Sequence, residues 1–239
     1  MEATITVDKV STQRWEREDV LKLAHHFHKL EKGQYHRATC FEMSDNDVIS
    51  FKAISSINSI KICMALEKRD KKSNISFCPY IEVNTNEKYR FCLTPSISRP
   101  KRSDYFSSAI VPGVFKEMIW NNWDKLEMNK IDDLFHCQNI PDRGNNGVDQ
   151  DYLVRVNFFW LSDDVIQLIQ QIKSTTRKIT LYPGVDMNKV EQKHMISFTP
   201  VLGFTHDEGA HNVDRMGVIE STDTETLIEY STPCPPTCP

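Results

Sequence analysis

Phe159-Trp160-Leu161-Ser162-Asp163-Asp164-Val165-Ile166 has a near copy upstream, Phe41-Glu42-Met43-Ser44-Asp45-Asn46-Asp47-Val48-Ile49. Both read Phe-x-(Met/Leu)-Ser-Asp and then Asp-Val-Ile, with Asn46 inserted in the first. Further on, Lys61-Ile62-Cys63-Met64 matches Lys178-Ile179-Thr180-Leu181, and Ile75-Ser76-Phe77-Cys78-Pro79 matches Ile196-Ser197-Phe198-Thr199-Pro200. One such match arises easily by chance. Three in the same order and at similar spacing point to an internal repeat. The chain reads as two tandem copies of one small α/β module.

Each block has a physical reading. An apolar extended segment ends at Ser44 or Ser162, whose hydroxyl can accept a free first-turn N–H and so start a helix. The acidic residues that follow suit the positive helix end. These helices are expected to run to about residues 58 and 174, with Val165, Ile166, Ile169 and Ile172 forming one apolar face. Strands are expected over 59–66 and 177–182, and again over 75–83 and 195–204. Pro79 and Pro200 fall inside the second pair, and a missing N–H there predicts an edge strand or a bulge. Upstream, 16–30 and 114–135 have apolar residues at helical spacing. Downstream, 89–93 and 216–219 are possible third strands. The expected fold class is α+β, with antiparallel hairpins, helices on one face and a pseudo-two-fold arrangement of the copies. The expected division is a first module over 1–100, a Ser/Pro/Arg-rich linker over 101–112, a second module over 113–230 and a Pro/Cys tail over 231–239. A long polar loop, 139–150, belongs to the second copy alone.

Composition bounds the function classes. The chain has 239 residues, 39% of them hydrophobic, enough to build cores. Net charge is −4, whereas a nucleic-acid binder usually carries a basic excess to displace counterions from phosphates. The basic runs at Lys68-Arg69 and Lys71-Lys72 and around Arg99 to Arg102 read as solvated loops. The first residues lack the basic and apolar regions of a secretory signal, and no stretch is apolar enough to span a bilayer. A soluble, cytoplasmic protein that binds neither nucleic acid nor membrane is expected. Five of the seven cysteines sit singly among apolar residues and read as small buried hydrophobes.

Four constellations could carry chemistry. His206-Asp207-Glu208-Gly209-Ala210-His211 offers imidazoles and carboxylates to a divalent metal, with His206, Asp207 and His211 as ligands. Its spacing is not that of the helical His-Glu-x-x-His motif, and a solvated turn is the competing reading. His25, His26 and His28 do not all share one helix face. The tail holds Cys234 and Cys238 as a thiol pair, able to close a small disulfide or to bind a soft metal with outside help; a disordered tail competes. Cys137 beside His136 and Cys40 near His36 are sequence neighbours only, which says little about a catalytic dyad. Phosphate loops, nucleophile elbows and dinucleotide fingerprints are absent from the sequence.

Lys178-Ile179-Thr180-Leu181-Tyr182-Pro183-Gly184, Ile196-Ser197-Phe198-Thr199-Pro200-Val201 and the terminal Cys234-Pro235-Pro236-Thr237-Cys238 resemble a loose group of small uncharacterised bacterial proteins that end in Cys-Pro-Pro-x-Cys. The resemblance covers the C-terminal half. It implies a bacterial, cytoplasmic protein and supplies no catalytic residue. Two functions are therefore expected to compete. One is a non-catalytic protein-binding or assembly module with a protein partner or a homo-oligomeric state. The other is a small metal- or thiol-dependent enzyme using the turn from His206 to His211 or the terminal cysteines.

Overall fold

The computed structural model describes residues 9–68, 75–98, 113–139, 152–190, 192, 195–206, 225–229 and 231–234. The chain begins with helix α1 (Lys9–Arg17), a 3-10 helix over Val20–Phe27, the hairpin β1 (His28–Glu31) and β2 (Gln34–Arg37), then β3 (Cys40–Met43) and helix α2 (Asp45–Ala53). Strands β4 (Ser59–Cys63), β5 (Leu66–Lys68), β6 (Ile75–Phe77), β7 (Tyr80–Asn84) and β8 (Lys88–Ser96) follow. Next come α3 (Gly113–Lys125), α4 (Met128–Ile131), a 3-10 segment Asp132–Phe135, the hairpin β9 (His136–Asn139) and β10 (Tyr152–Arg155), then β11 (Phe158–Leu161) and α5 (Asp163–Ile172). The chain closes with β12 (Thr176–Val185), α6 (Met187–Val190), β13 (Phe198–His206), β14 (Glu225–Ile228) and β15 (Ser231–Cys234).

Local chemistry accounts for several of these boundaries. The Ser44 hydroxyl accepts the Asp47 N–H at 3.2 Å, with Asp45 and Asp47 in the positive first turn of α2. Ser162 holds the same position before α5 with an extended backbone, but makes no side-chain cap bond. Lys32 and Gly33 both have positive φ, the turn that matches the twist of a two-residue hairpin between β1 and β2.

Nine strands form one sheet in the order β14-β13-β12-β3-β8-β7-β4-β11-β15, so the fold is α+β. The two halves of the sequence interleave in it. Strand β3 pairs antiparallel with β12, and β11 pairs antiparallel with β4. Phe41 lies opposite Leu181 and Phe159 opposite Ile62, so the sequence match of Ile62 to Ile179 is two residues out of step with the sheet. A slip of two keeps every side chain on the same face, which is why the pattern did not expose it. Strand β8 changes partner midway: Lys88 to Cys92 pair with β7, and Leu93 to Ser96 with β3. Strands β14 and β15 divide the same task, pairing with β13 and β11. The two outer strands of the sheet are thus consecutive in the chain.

Beneath the sheet, the aromatic contacts recur. Trp15 packs on Phe77 at 5.3 Å and on Phe135 at 5.1 Å; Trp123 packs on Phe198 at 6.0 Å and on Phe27 at 5.3 Å. Phe27 meets Phe77 at 4.5 Å, and Phe135 meets Phe198 at 4.6 Å. At the centre Phe27 and Phe135 stack on each other, 5.2 Å apart and 9° from parallel. The polar contacts recur too. Trp15 Nε1–H donates to the Val156 carbonyl at 2.8 Å, and Trp123 Nε1–H to the Ala38 carbonyl at 2.9 Å. Arg37 donates to the carbonyls of Trp123 (2.7 Å) and Leu126 (2.6 Å) and lies over the Trp123 ring. Arg155 donates to the carbonyls of Trp15 and Glu18, the latter at 2.7 Å, and lies over the Trp15 ring. Each arginine therefore satisfies carbonyls at the C-terminal end of the helix from the opposite half of the chain.

Several expectations need correction. The stretch 16–30 is not one helix. Helix α1 stops at Arg17, and the Asp19 carboxylate accepts the Leu21 N–H at 3.1 Å to start the 3-10 helix. The apolar stripe misled because a 3-10 helix buries Leu23, Ala24 and Phe27 equally well. The stretch 114–135 likewise breaks after Lys125. Pro79 lies between β6 and β7, and both β7 and β13 are interior strands. Pro200 is tolerated because β14 covers β13 only from Leu202 to Thr205, so at Pro200 the strand has β12 as its one paired neighbour among the described residues. The Pro/Cys tail is not detached: Ser231–Cys234 is an outer strand, where Pro233 can leave one side without a donor. Residues 207–224, including the expected strand at 216–219, lie outside the described residues, as do residues 140–150 of the long loop.

Candidate functional site

His206 ends β13 and is 2% exposed. Its Nδ1 lies 3.0 Å from the Thr175 hydroxyl and its Nε2 lies 2.8 Å from the Thr226 hydroxyl. Both ring nitrogens thus tie β13 to its neighbours. Asp207 and His211 lie outside the described residues. Among the described residues no group of three His, Cys, Asp or Glu side chains converges as metal ligands would. His25 is exposed, while His26 is held by Glu18 at 3.0 Å and by the Ile75 carbonyl at 3.1 Å.

The thiols are poorly placed for nucleophilic work. His136 Nδ1–H donates to the Asp132 carbonyl at 2.9 Å, and its Nε2 accepts from Arg155 Nε at 2.7 Å, so neither nitrogen serves Cys137. Burial pushes the Cys137 and Cys40 thiols up, and burial with Glu82 nearby pushes Cys63 up to about 12. A reactive cysteine needs the opposite shift. Cys234 is buried on β15 and disulfide-bonded, and Cys238 lies outside the described residues.

A cavity of about 280 Å³ opens where β13, β11 and β15 come together. Phe159, Ile196, Phe198, Pro200 and Pro233 give it apolar walls, and Met195, Lys189, Glu229, Thr199 and Ser231 complete the lining. The strands around it compare with β8, the central strand of the same sheet. On β8, Phe91 lies opposite Ile81 and Leu93 opposite Met43, with Cys92 alone between them. Ile228 lies opposite Leu202 and Ser231 opposite Leu161, with Glu229 and Tyr230 between. The second crossing has one residue more. It also carries Ser231 at the register where β8 carries Leu93, which is fully buried.

The electrostatics of the mouth are lopsided. Burial pushes the half-buried Glu229 carboxyl up and Lys189 draws it back down, while Asp186 pushes it up again. Lys189 Nζ is itself paired with Asp186 at 3.4 Å. Among the described residues, two carboxylates thus share one ammonium. The buried Thr199 hydroxyl has no hydrogen-bond partner among the described residues. On α6, which supplies Lys189 to the lining, Met187 and Val190 are 51% and 43% exposed, and Met195 of the lining is 37% exposed. This arrangement can hold an apolar group and a neighbouring cation.

Sequence reasoning reached Phe159, Ile196, Phe198 and Pro200 as scaffold and missed the cavity they line. The usable signal was Thr232-Pro233 matching Thr94-Pro95, which aligns Ser231 with Leu93. Comparison with family models, characterised proteins and solved structures finds no match for this chain. No helix among the described residues is long and apolar enough to cross a membrane.

Proposed function

We propose that the chain is an internally duplicated, non-catalytic module that binds or assembles with another protein. Its two units would be related by a pseudo-two-fold axis between Phe27 and Phe135, each lending its first strand, β3 or β11, to the other. The paired aromatic contacts, the reciprocal Arg37 and Arg155 bonds and the two strand exchanges support that relation. A fused pair of this kind buries its shared face as a homodimer would.

The observation that carries the binding reading is the apolar cavity, with exposed Met187 and Val190 on the helix that carries its Lys189. Apolar surface gathered at a cavity is a place where a partner can bury side chains. A selection of random displayed peptides against the immobilised full chain tests it. Enrichment of sequences with a shared apolar anchor is expected, and failure to enrich any family of binders would sink the reading. A metal-dependent reading has a separate check. With both nitrogens of His206 engaged, purified protein is expected to hold far less than one equivalent of divalent metal by elemental analysis, and His206→Ala is expected to leave that content unchanged. Stoichiometric metal lost on His206→Ala would return the turn from His206 to His211 to consideration.

A further inference from the structure

We infer that the cavity seats one large apolar side chain of a partner protein, and that Glu229 pairs with a lysine or arginine beside that side chain. The inference rests on the protein-binding reading and specifies its site.

Size sets the first half. A volume of about 280 Å³ with walls from Phe159, Phe198 and Pro233 is ample for one aromatic or long aliphatic side chain, since a cavity of about 150 Å³ already holds a benzene ring. Such an anchor in a desolvated pocket is where binding energy concentrates. Charge sets the second half. At the mouth, among the described residues, Asp186 and Glu229 act with one cation, Lys189, which Asp186 engages at 3.4 Å. A second cation from the partner would complete the balance, and in a partly desolvated setting the pair is stronger than on an open surface. Next to Lys189 in the chain, Met187 and Val190 of α6 are exposed, apolar surface that a polypeptide extending from the cavity can cover and a small molecule confined to it cannot.

The pocket can be closed without threatening the fold. The corresponding crossing on β8 carries Leu93, fully buried, so Ser231→Leu should be accommodated. The probes are N-acetyl-phenylalanyl-arginine amide, the same compound with glutamate for arginine, and the same with alanine for phenylalanine. Each is titrated into the isotope-labelled full chain and followed by NMR shifts of β13 and β15. The Phe-Arg probe is expected to bind about tenfold more tightly than the Phe-Glu probe, and the Ala-Arg probe not measurably. Ser231→Leu is expected to abolish binding at unchanged or raised Tm. Glu229→Gln is expected to bring the Phe-Arg and Phe-Glu affinities together. Equal affinities in the native chain, or native binding by a folded Ser231→Leu protein, would overturn the inference. Peptides from the display selection that bind Ser231→Leu as they bind the native chain would also overturn it while leaving protein binding intact. Failure of that selection to yield binders would overturn both.

Discussion

Phe135→Ala is expected to remove about 4 kcal/mol of stability, because a fully buried phenylalanine loses both its transfer energy and the packing around it. The ring is 0% exposed and touches Phe27 at 5.2 Å, Trp15 at 5.1 Å and Phe198 at 4.6 Å. These neighbours come from both halves of the chain and cannot collapse into the gap without moving one half against the other. At about 2–4 °C per kcal/mol for a chain of this size, Tm should fall by roughly 8–16 °C. Phe27→Ala should have nearly the same effect, since Phe27 makes the corresponding contacts with Phe77 and Trp123. The double variant should lose less than the sum, because each single change already breaks the shared stack. Tyr35→Ala is the control: at 67% exposure it should change stability by less than about 0.5 kcal/mol. Urea unfolding of the four proteins decides. A loss near 1 kcal/mol for Phe135→Ala, or strongly unequal losses for the two phenylalanines, would mean that the central stack does not hold the halves together.

The legible and illegible parts of this fold separate by the length over which their signals act. Ser44 and Ser162 announced helix starts that lie one residue later in both cases; at Ser44 the hydroxyl makes the cap bond, and at Ser162 the extended backbone alone marks the position. The strand segments 59–63 and 198–204 were legible from their apolar runs. The pairing of β3 with β12 and of β11 with β4 was not, since both strands alternate alike and nothing in Phe41 or Phe159 states which neighbour each will face. Strands β14 and β15 are four residues each, too short for a period to emerge, and Pro233 disguised the second as a tail. His206 illustrates the same limit for the site. In sequence it stands at the head of a polar, metal-like run, and only the fold brings Thr175 and Thr226 to its two nitrogens. The cavity was not legible, because its lining comes from segments far apart in sequence, Phe159, Phe198 and Pro233 among them, which only the fold brings together.

Arg155→Ala tests the reciprocal lock and should cost about 3 kcal/mol. Three acceptors lose their donor at once: the carbonyls of Trp15 and Glu18 and the Nε2 of His136. Charged hydrogen bonds of this kind contribute about 1.5–3 kcal/mol each, and acceptors left buried add a desolvation penalty, so a partial rescue by water still leaves a large deficit. The same arginine shapes the acid response. His136 accepts from Arg155 and must be neutral to do so; burial first, and then the guanidinium charge, holds its pKa below 6.5. An unfolded chain takes up that proton near pH 6.5, the folded protein only at lower pH. The stability tied to His136 is therefore fully present above about pH 6.5 and falls as the pH drops toward the lowered folded value. His28, lowered by burial and by Arg37, adds a fall in the same direction. Denaturant unfolding between about pH 7.5 and 5.5 should show stability decreasing on acidification in the native chain. In Arg155→Ala the guanidinium no longer opposes protonation of His136, so the folded pKa rises and the pH dependence should flatten at a lower overall stability. A parallel pH profile for the variant would mean that Arg155 steadies the end of α1 without governing the protonation of His136.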